Sequence, residues 1–201
     1  MSFPVGNSSR GSQRAILSIG EPVLRRVARA VELDELAGAQ MQQLIDDVIE
    51  TMRVANGAGL AAPQIGESVR VCAIEVNSNP RYPYKPNIPL TVLVNPTWTQ
   101  LTEELFVNNE GCLSVPGIRG DVARFSHIRV EALDRSGGRL DFTVGGLSAG
   151  TYQHECDHLD GVLFVDRVTD PTSLCTWDNF ERYRRQEYLL RVAALVDRFG
   201  Q

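Results

Sequence analysis

The sequence predicts a fold that mixes α-helices with antiparallel β-strands, and two patterns of apolar residues predict it. Apolar side chains three and four residues apart indicate a long helix over residues 34–54 and an amphipathic C-terminal helix over residues 176–199. Apolar and polar side chains alternate over residues 127–133 and 140–144, on either side of a glycine-containing turn, as in a half-buried β-hairpin. A chain of 201 residues is long enough to bury a sizeable core without disulfides.

Shorter patterns predict the remaining elements. Runs of β-branched residues indicate strands, a proline in a first turn indicates a short helix, and a segment with four prolines indicates an irregular surface loop. In chain order, these are a helix from Glu21 to Val27, a strand over 69–76, the loop over 77–89, strands over 90–94 and 101–107, and a helix over 147–160 that ends before Gly161. We expect residues 1–14 to be disordered.

Charge and cysteine usage narrow the possible functions. The net charge of −5 leaves no overall positive field with which to bind nucleic acid. No apolar run is as long as a membrane span, and the first residues lack the apolar core of a secretory signal, so we expect an intracellular protein without membrane contact. The four cysteines of such a protein are expected to stay reduced. A cysteine thiolate is therefore available as a metal ligand.

An HExxH motif, His154-Glu155-Cys156-Asp157-His158, lies in the helix expected over residues 147–160. Residues four apart share one face of a helix, so the two imidazoles can bind one metal ion while Glu155 reaches a metal-bound water. The chain has only three histidines, and two of them have this spacing around a glutamate. The alternative is a chance pair of histidines on a polar helix face. The spacing favours a metal site.

The third ligand is not settled by this motif. A metzincin protease would place a third histidine where this chain has Phe164, so that arrangement is excluded. His127 lies on a predicted strand and is the weaker candidate. Cys112 is the better one, because the adjacent Gly111 allows the backbone to approach a metal ion or a substrate closely. A free cysteine is as often a small buried apolar residue, so the pattern alone leaves both interpretations of Cys112 open.

A glycine-rich segment follows the predicted helix over 34–54. It reads Gly-Ala-Gly-Leu-Ala-Ala-Pro-Gln-Ile-Gly over residues 57–66. Gln64 is a single polar side chain among small apolar ones, and its amide could donate a hydrogen bond to a substrate oxygen. A tight helix-to-strand connection would explain the same glycines equally well.

Together the three segments resemble the peptide deformylase family. The corresponding strings are GAGLAAPQIG over 57–66, EGCLS over 110–114 and QHECDHLDG over 153–161, in the order the family has them, and the similarity extends from about Ile16 to Val168. The resemblance implies an α+β fold in which small antiparallel sheets surround the HExxH helix, followed by a C-terminal helix. It also implies a single catalytic domain over residues 15–201 that removes the formyl group from the formyl-methionine of newly synthesised polypeptides.

The resemblance also implies a role for each matching residue. The metal ligands would be Cys112, His154 and His158, and Glu155 would be the general acid/base acting on the metal-bound water. The formyl oxygen would be bound by Gln64 and the backbone N–H of Leu113. The substrate-binding residues would be Gly59 and Gly111, together with Gly150 and Thr151 of the methionine pocket. Glu110 would pair with Arg124 or Arg119 and be structural. Cys156 is interpreted as a core residue. Gly150 and Thr151 make the expected pocket small and partly polar.

The expected cofactor is one divalent metal ion. A thiolate and two imidazoles accept Fe²⁺, Zn²⁺, Ni²⁺ or Co²⁺, so the ligands do not choose among them. The family resemblance favours Fe²⁺ in the cell. Two other interpretations remain open at this stage: a metal-dependent amidase acting on another N-acyl group, and a non-enzymatic module in which the metal stabilises the fold. A structural zinc site usually has four protein ligands, and the sequence suggests three.

The expected partners are N-formyl-methionyl nascent peptides and, through the C-terminal helix, the ribosome, in the cytoplasm of a bacterium or in an organelle. The five arginines of that helix, Arg182, Arg184, Arg185, Arg191 and Arg198, could meet ribosomal phosphates. Acidic residues nearly cancel their charge, so an ordinary amphipathic helix that covers the core is the alternative. Docking predicts that truncation after about Asp170 preserves the activity on short peptides, whereas the alternative predicts unfolding.

Overall fold

The computed structural model describes residues 11–79 and 81–199, and it confirms the α+β class with a C-terminal helix. The helices are α1 (Leu33–Leu36), α2 (Ala39–Val54), α3 (Gly146–Leu159), α4 (Trp177–Asn179) and α5 (Arg185–Phe199), the last two joined by a π-helical turn, Phe180–Arg184. The strands are β1 (Gly59–Ala61), β2 (Val71–Val76), β3 (Ile88–Gln100), β4 (Leu105–Cys112), β5 (Val115–Phe125), β6 (His127–Leu133), β7 (Arg139–Gly145) and β8 (Cys175–Thr176).

The strands form two antiparallel sheets. One has five strands in the order β1-β2-β3-β6-β7, and the other has three in the order β4-β5-β8. In the smaller sheet Cys112 pairs with Val115, so β4 and β5 are joined by a turn of two residues, Leu113 and Ser114. In the larger sheet β1 pairs only with β2 and forms one edge.

Helices α2 and α3 cover opposite faces of the larger sheet. Val71 and Ala73 of β2 pack with α2 in one apolar cluster, whereas Cys72 and Ile74 pack with α3 in another. Successive side chains of a strand point to opposite faces, so β2 is apolar on both. Every residue of α3 except His154 is buried. The helix that carries HExxH is therefore enclosed by protein, and one of its histidines reaches an accessible surface.

Several element boundaries differ from the sequence-based predictions. The helix expected over 34–54 is divided into α1 and α2, because Gly38 adopts an extended conformation between them, and Asp34 lies inside α1 instead of capping a long helix. Residues 21–27 form only a short 3₁₀ turn, Pro22–Arg25. The strand expected over 101–107 begins at Leu105.

Three strands were missed, and one is longer than expected. A proline and two glycines interrupt the alternation of β5 and hid it, while β1 has only three residues and β8 only two. Strand β3 continues past Val94 through a bulge that contains Pro96, an arrangement that accommodates a proline within a sheet. The expected loop lacks helix and strand over the described residues 77–79 and 81–87.

The N-terminal segment differs in part from the expected disorder. Residues 1–10 lie outside the described residues. Residues 11–14 lie against α2: the backbone N–H of Ser12 donates to Asp47 Oδ1 at 2.8 Å, and that of Arg14 donates to Thr51 Oγ1 at 2.9 Å. Among residues 11–79 and 81–199, no helix is long and apolar enough to cross a membrane.

The C-terminal helix is part of the core. Phe180, Tyr188 and Val192 form a buried cluster with Leu147 of α3. Four of its five arginines contact other groups of this chain: Arg184 donates to the carbonyls of Thr172 and Ser173, Arg185 pairs with Glu181, Arg191 with Asp121, and Arg198 with Glu104. Packing of this kind favours the interpretation of a helix that covers the core.

This packing predicts a large loss of stability when Phe180 is shortened. Phe180 is 1% exposed, so Phe180→Ala is expected to lower the free energy of unfolding by about 3–5 kcal/mol through lost contacts and the cavity left behind. Leu190→Ala, in the same helix but 73% exposed, is the control and should change it by less than about 0.5 kcal/mol. Denaturant unfolding of both variants measures the difference. Equal effects would mean that the helix does not pack as described.

Candidate metal centre and substrate cavity

The metal-binding residues expected from the sequence lie together. His154 and His158 are one turn apart on α3, with ring centroids 5.0 Å apart, and Cys112 ends β4 beside them. The Cys112 Sγ is 3.3 Å from His158 Nε2, and the three ligand atoms all lie within 4.8 Å of one another. His127 is not part of this group, and its ring lies 5.7 Å from that of Phe199.

The three donors fit a single metal ion. One sulfur and two imidazole nitrogens converge, and this donor set with one open position is typical of catalytic transition-metal sites. Glu155 lies next to the group, and its buried Oε2 has no hydrogen-bond partner among the described residues. An unpartnered carboxylate oxygen is costly to bury. It would be satisfied by water or substrate at the open position.

A buried ion-pair network holds the site in place. Glu110 accepts two hydrogen bonds of 2.8 Å from Arg124, which also donates to Asp157 at 2.7 Å. Glu110 Oε2 lies 2.9 Å from His154 Nδ1, which leaves the other ring nitrogen to face Cys112. Although burial opposes it, the charge of Arg124 holds the pKa of Glu110 well below its usual range. Arg119, the other partner considered, bonds instead to Asn109.

Gln64 is held with its amide group toward the site. Its Oε1 accepts from the backbone N–H of Ala61 at 2.8 Å, and its Nε2 donates to Ser114 Oγ at 3.1 Å and lies 3.5 Å from Cys112 Sγ. Leu113 follows Cys112 in the β4–β5 turn and lines a cavity beside the three metal-binding residues, as Gln64 does. Gln64 and Leu113, the two residues that the family resemblance suggested for binding the formyl oxygen, thus lie at the same cavity.

Gly59 lies directly against Glu155. A Cβ at position 59 would be 2.4 Å from Glu155 Oε1 and 2.5 Å from its Cδ, closer than real Cβ contacts allow. Only glycine therefore lets β1 pass beside this carboxylate. Burial raises the pKa of Glu155 to about 7, while the positive charges of His154 and Lys85 act in the opposite direction.

The cavity beside the three ligands is small, with a volume of about 40 Å³. Its wall includes Gly59, Gly111, Gly150 and Thr151, as expected from the sequence. Gly150 does not widen it: a Cβ there would lie 3.1 Å from Phe106 and 3.2 Å from Asn108 Nδ2, so these side chains occupy the space.

Comparison with known proteins assigns the fold and site to a family. The polypeptide deformylase family matches residues 13–173. The chain belongs to this family. A peptide deformylase of Nitrosomonas europaea is 45% identical over 157 residues, which cover 78% of this chain and 88% of that protein. A second, from Prochlorococcus marinus, is 46% identical over 161 residues, 80% of this chain and 83% of that protein.

Solved deformylase structures agree with this assignment. A class I type b peptide deformylase from Acinetobacter baumannii with Met-Ala-Ser bound has a TM-score of 0.75 and 38% identity, covering 79% of this chain and 99% of that one. A peptide deformylase from Synechococcus elongatus in complex with actinonin has a TM-score of 0.69 and 30% identity, covering 99% of this chain and 94% of that one. This chain is therefore an enzyme of the deformylase class.

Four residues that line the cavity of this deformylase were not identified from the sequence: Tyr82, Lys85, Asn108 and Asn109. Lys85 is the only lysine of the chain, and that singularity was a signal available in the sequence. The C-terminal helix also supports this cavity wall, because the Tyr188 hydroxyl donates to Asn108 Oδ1 at 2.8 Å. Cys156 and Cys72 are buried, in agreement with a core role for Cys156.

The ion-pair network predicts that Arg124→Met strongly destabilises the protein. It leaves Glu110 buried without its cation, whereas Asp157 keeps its pair with Arg167, and removing one partner of a buried pair costs about 3–5 kcal/mol. Arg129→Met removes an exposed pair with Asp141 and should leave the unfolding midpoint almost unchanged. Chemical denaturation of both variants compares them.

The same network predicts the effect of acid. Because the folded pKa of Glu110 is depressed, its contribution is fully present above an unfolded pKa of about 4.3 and is lost as the pH falls toward the folded value. The difference in free energy of unfolding between wild type and Arg124→Met should therefore become smaller in acid. A difference that does not change with pH would contradict the pairing of Glu110 with Arg124.

Proposed function

We propose that this enzyme removes the formyl group from the N-terminal formyl-methionine of newly synthesised polypeptides, with one metal ion held by Cys112, His154 and His158. The observation that supports it most is the convergence of these three ligand atoms within 4.8 Å beside Glu155, whose buried Oε2 has no hydrogen-bond partner in the described part of the chain. When bound, a divalent metal ion polarises a carbonyl oxygen and makes water acidic enough to lose a proton near neutral pH.

Glu155 is the proposed proton carrier. It lies one residue after His154, is 4% exposed, lines the cavity and has one oxygen, Oε2, without a hydrogen-bond partner among the described residues. We propose that this carboxylate accepts a proton from the attacking water and returns it to the leaving amine, so that methionine leaves as a free N-terminus. A carboxyl group whose pKa lies near neutral pH, as that of Glu155 does, can perform both transfers.

Gln64 and Leu113 are proposed to bind the formyl oxygen. Gln64 is held by its bond to Ala61, and its amide N–H groups point toward Cys112. Donors that are in place before the reaction stabilise negative charge as it develops on a carbonyl oxygen. The backbone N–H of Leu113, next to Cys112, is proposed as the second donor.

The substrate backbone is proposed to lie along β1. Gly59 is on the edge strand of the larger sheet, where a peptide can add by β-type pairing. Gly111, Gly150 and Thr151 are proposed to contact the first residue of the substrate. The Acinetobacter baumannii relative was solved with Met-Ala-Ser bound, which supports a peptide ligand for this chain.

The metal is proposed to be Fe²⁺ in the cell, and Zn²⁺, Ni²⁺ and Co²⁺ remain compatible with the ligands. Anaerobic purification with metal analysis and a deformylation assay on formyl-Met-Ala-Ser tests both metal and activity. The acetylated peptide is the control, because a pocket fitted to the formyl hydrogen should reject a methyl group. Equal cleavage of both peptides would favour a different N-acyl amidase.

A location in the cytoplasm and binding to the ribosome are predictions. Four of the five arginines proposed to meet ribosomal phosphates are engaged within the chain, and Arg182 lies over the Tyr183 ring. Salt-dependent cosedimentation with ribosomes, measured on the full chain, tests this partner. If the chain did not cosediment with ribosomes, the C-terminal helix would have a structural role only.

Glu155→Gln is expected to retain the metal and lose nearly all activity. The amide cannot accept a proton, whereas the three ligands are unchanged. The measurement is kcat/KM on formyl-Met-Ala-Ser together with metal content. Activity within about tenfold of the parent enzyme would contradict the role of Glu155.

Cys112→Ser is expected to weaken metal binding markedly, because a neutral hydroxyl replaces a thiolate ligand. Cys156→Ser is the matched control: Cys156 lies in the same helix as the histidines but is a buried core residue, 2% exposed. Metal content after dialysis distinguishes the two variants. Loss of the metal in Cys156→Ser alone would mean that the wrong thiol had been chosen.

A further inference from the structure

A chain of hydrogen bonds joins the C-terminal helix to the metal-binding residue His154. The Tyr188 hydroxyl, on α5, donates to Asn108 Oδ1 at 2.8 Å, and Asn108 Nδ2 donates to Glu110 Oε1 at 3.1 Å. Glu110 Oε2 lies 2.9 Å from Nδ1 of His154. Tyr188 is beyond the family match, which ends at residue 173. A residue of α5 is therefore connected to the metal centre through two side chains of β4.

The carboxylate of Glu110 fixes the direction of the bonds in this chain. A carboxylate only accepts hydrogen bonds, so Asn108 must turn its NH2 group toward Glu110 and its carbonyl oxygen toward Tyr188. That oxygen also only accepts, so the Tyr188 hydroxyl must donate. Burial raises the pKa of Tyr188 well above its usual range, so the hydroxyl keeps the proton that it donates. Tyr188 thereby holds the Asn108 amide in the orientation that lets it donate to Glu110.

The Glu110 carboxylate has all of its acceptor positions occupied. A carboxylate offers about two positions on each oxygen. Oε1 accepts from Arg124 Nε at 2.8 Å and from Asn108, whereas Oε2 accepts from Arg124 Nη2 at 2.8 Å and faces His154. Arg124 also donates to Asp157. The carboxylate that faces His154 is therefore oriented from two sides, by Arg124 and by Asn108.

The packing of its own ring places the Tyr188 hydroxyl against Asn108. Both residues are buried, and the Tyr188 ring lies 5.4 Å from that of Tyr84 and 5.8 Å from that of Phe180, between ring centres. Edge-to-face aromatic pairs at these distances are stabilising. Removal of the hydroxyl leaves the buried Asn108 oxygen without this donor, which is costly.

We propose that Tyr188 is a positioning residue of the metal centre, which it reaches through Asn108 and Glu110, an inference that rests on the metal site of the proposed function. Groups that hydrogen-bond a metal-binding histidine fix the orientation of its ring, and their loss typically weakens metal binding by about 10–100-fold. Glu110 holds that direct position at His154. Tyr188 acts two hydrogen bonds further away, so its effect on metal affinity is smaller.

The test measures the affinity of the full-length enzyme for Co²⁺ by competition with a chelator. Tyr188→Phe removes the hydroxyl and keeps the ring, and its Kd for Co²⁺ is expected to rise by about three- to tenfold. The ligand-field absorption of the bound Co²⁺ should shift as well, because it depends on the arrangement of the ligands. A merely structural role of Tyr188 would not change this spectrum.

Tyr84→Phe is the matched control. It removes one hydroxyl from the same aromatic cluster, and that hydroxyl accepts from Arg119 at 3.5 Å, outside the path to His154. This variant should leave both the Kd and the spectrum of bound Co²⁺ unchanged. An equal rise of the Kd in Tyr84→Phe and Tyr188→Phe would point to a general loosening of the cluster and would overturn the inference.

A double variant tests the route through Asn108. Asn108→Leu removes both bonds of this amide, so Tyr188→Phe should cause no further rise of the Kd in that background. Two residues that act through one path have effects that do not add. Additive effects would mean that Tyr188 acts by another route, which contradicts the inference.

The outcomes separate this inference from the proposed function. If the wild type binds Co²⁺ and cleaves formyl-Met-Ala-Ser, an unchanged Kd or an unchanged spectrum in Tyr188→Phe overturns the inference alone. If the wild type binds no metal ion, the proposed function itself fails, and the inference with it.

Discussion

The buried bonds of Arg124 are the interaction on which the rest of the site depends. Arg124 lies on β5, Glu110 on β4 and Asp157 on α3, so one guanidinium joins the smaller sheet to the HExxH helix. Cys112 is two residues beyond Glu110, and the two histidines flank Asp157. The network therefore determines how far the thiolate lies from the imidazoles. Its net contribution to stability is modest, because desolvation offsets much of the attraction, but loss of Arg124 leaves Glu110 buried without a cation, while Asp157 keeps Arg167.

The position of Glu155 depends on close packing on all sides. Helix α3 is enclosed by the larger sheet, the smaller sheet and α5, and β1 passes within contact of the carboxylate because Gly59 has no side chain. Groups held on helices and strands keep their geometry better than groups on loops. This explains how the carboxylate and Gln64 can be in place before a substrate arrives.

Parts of the chain beyond the family match support the cavity wall from outside. That match ends at residue 173, whereas Trp177, Phe180 and Tyr188 cover Arg119 and contact Tyr82, Tyr84 and Asn108. The residues proposed to carry the reaction come from the three shared motifs, whereas Tyr82 and Lys85 of the cavity wall come from the proline-rich segment between β2 and β3, which Trp177 and Tyr188 contact.

The sequence by itself determined the class of chemistry and most of the elements. The spacing of His154 and His158 is local, since a helix places residues four apart on one face whatever surrounds it, and the alternation of β6 and β7 is equally local. The three motifs also identified the residues that meet at the site. Strand β5 and the break at Gly38 escaped because glycine and proline obscure periodicity, and their conformations depend on neighbouring strands and helices.

Only the tertiary structure decided which groups far apart in the chain meet. It chose Arg124 over Arg119 as the partner of Glu110, filled the space beside Gly150 with Phe106 and Asn108, and brought Lys85 to Thr151, 66 residues away. No local pattern carries such information, because packing and burial select the partners of long side chains, and burial depends on the whole fold.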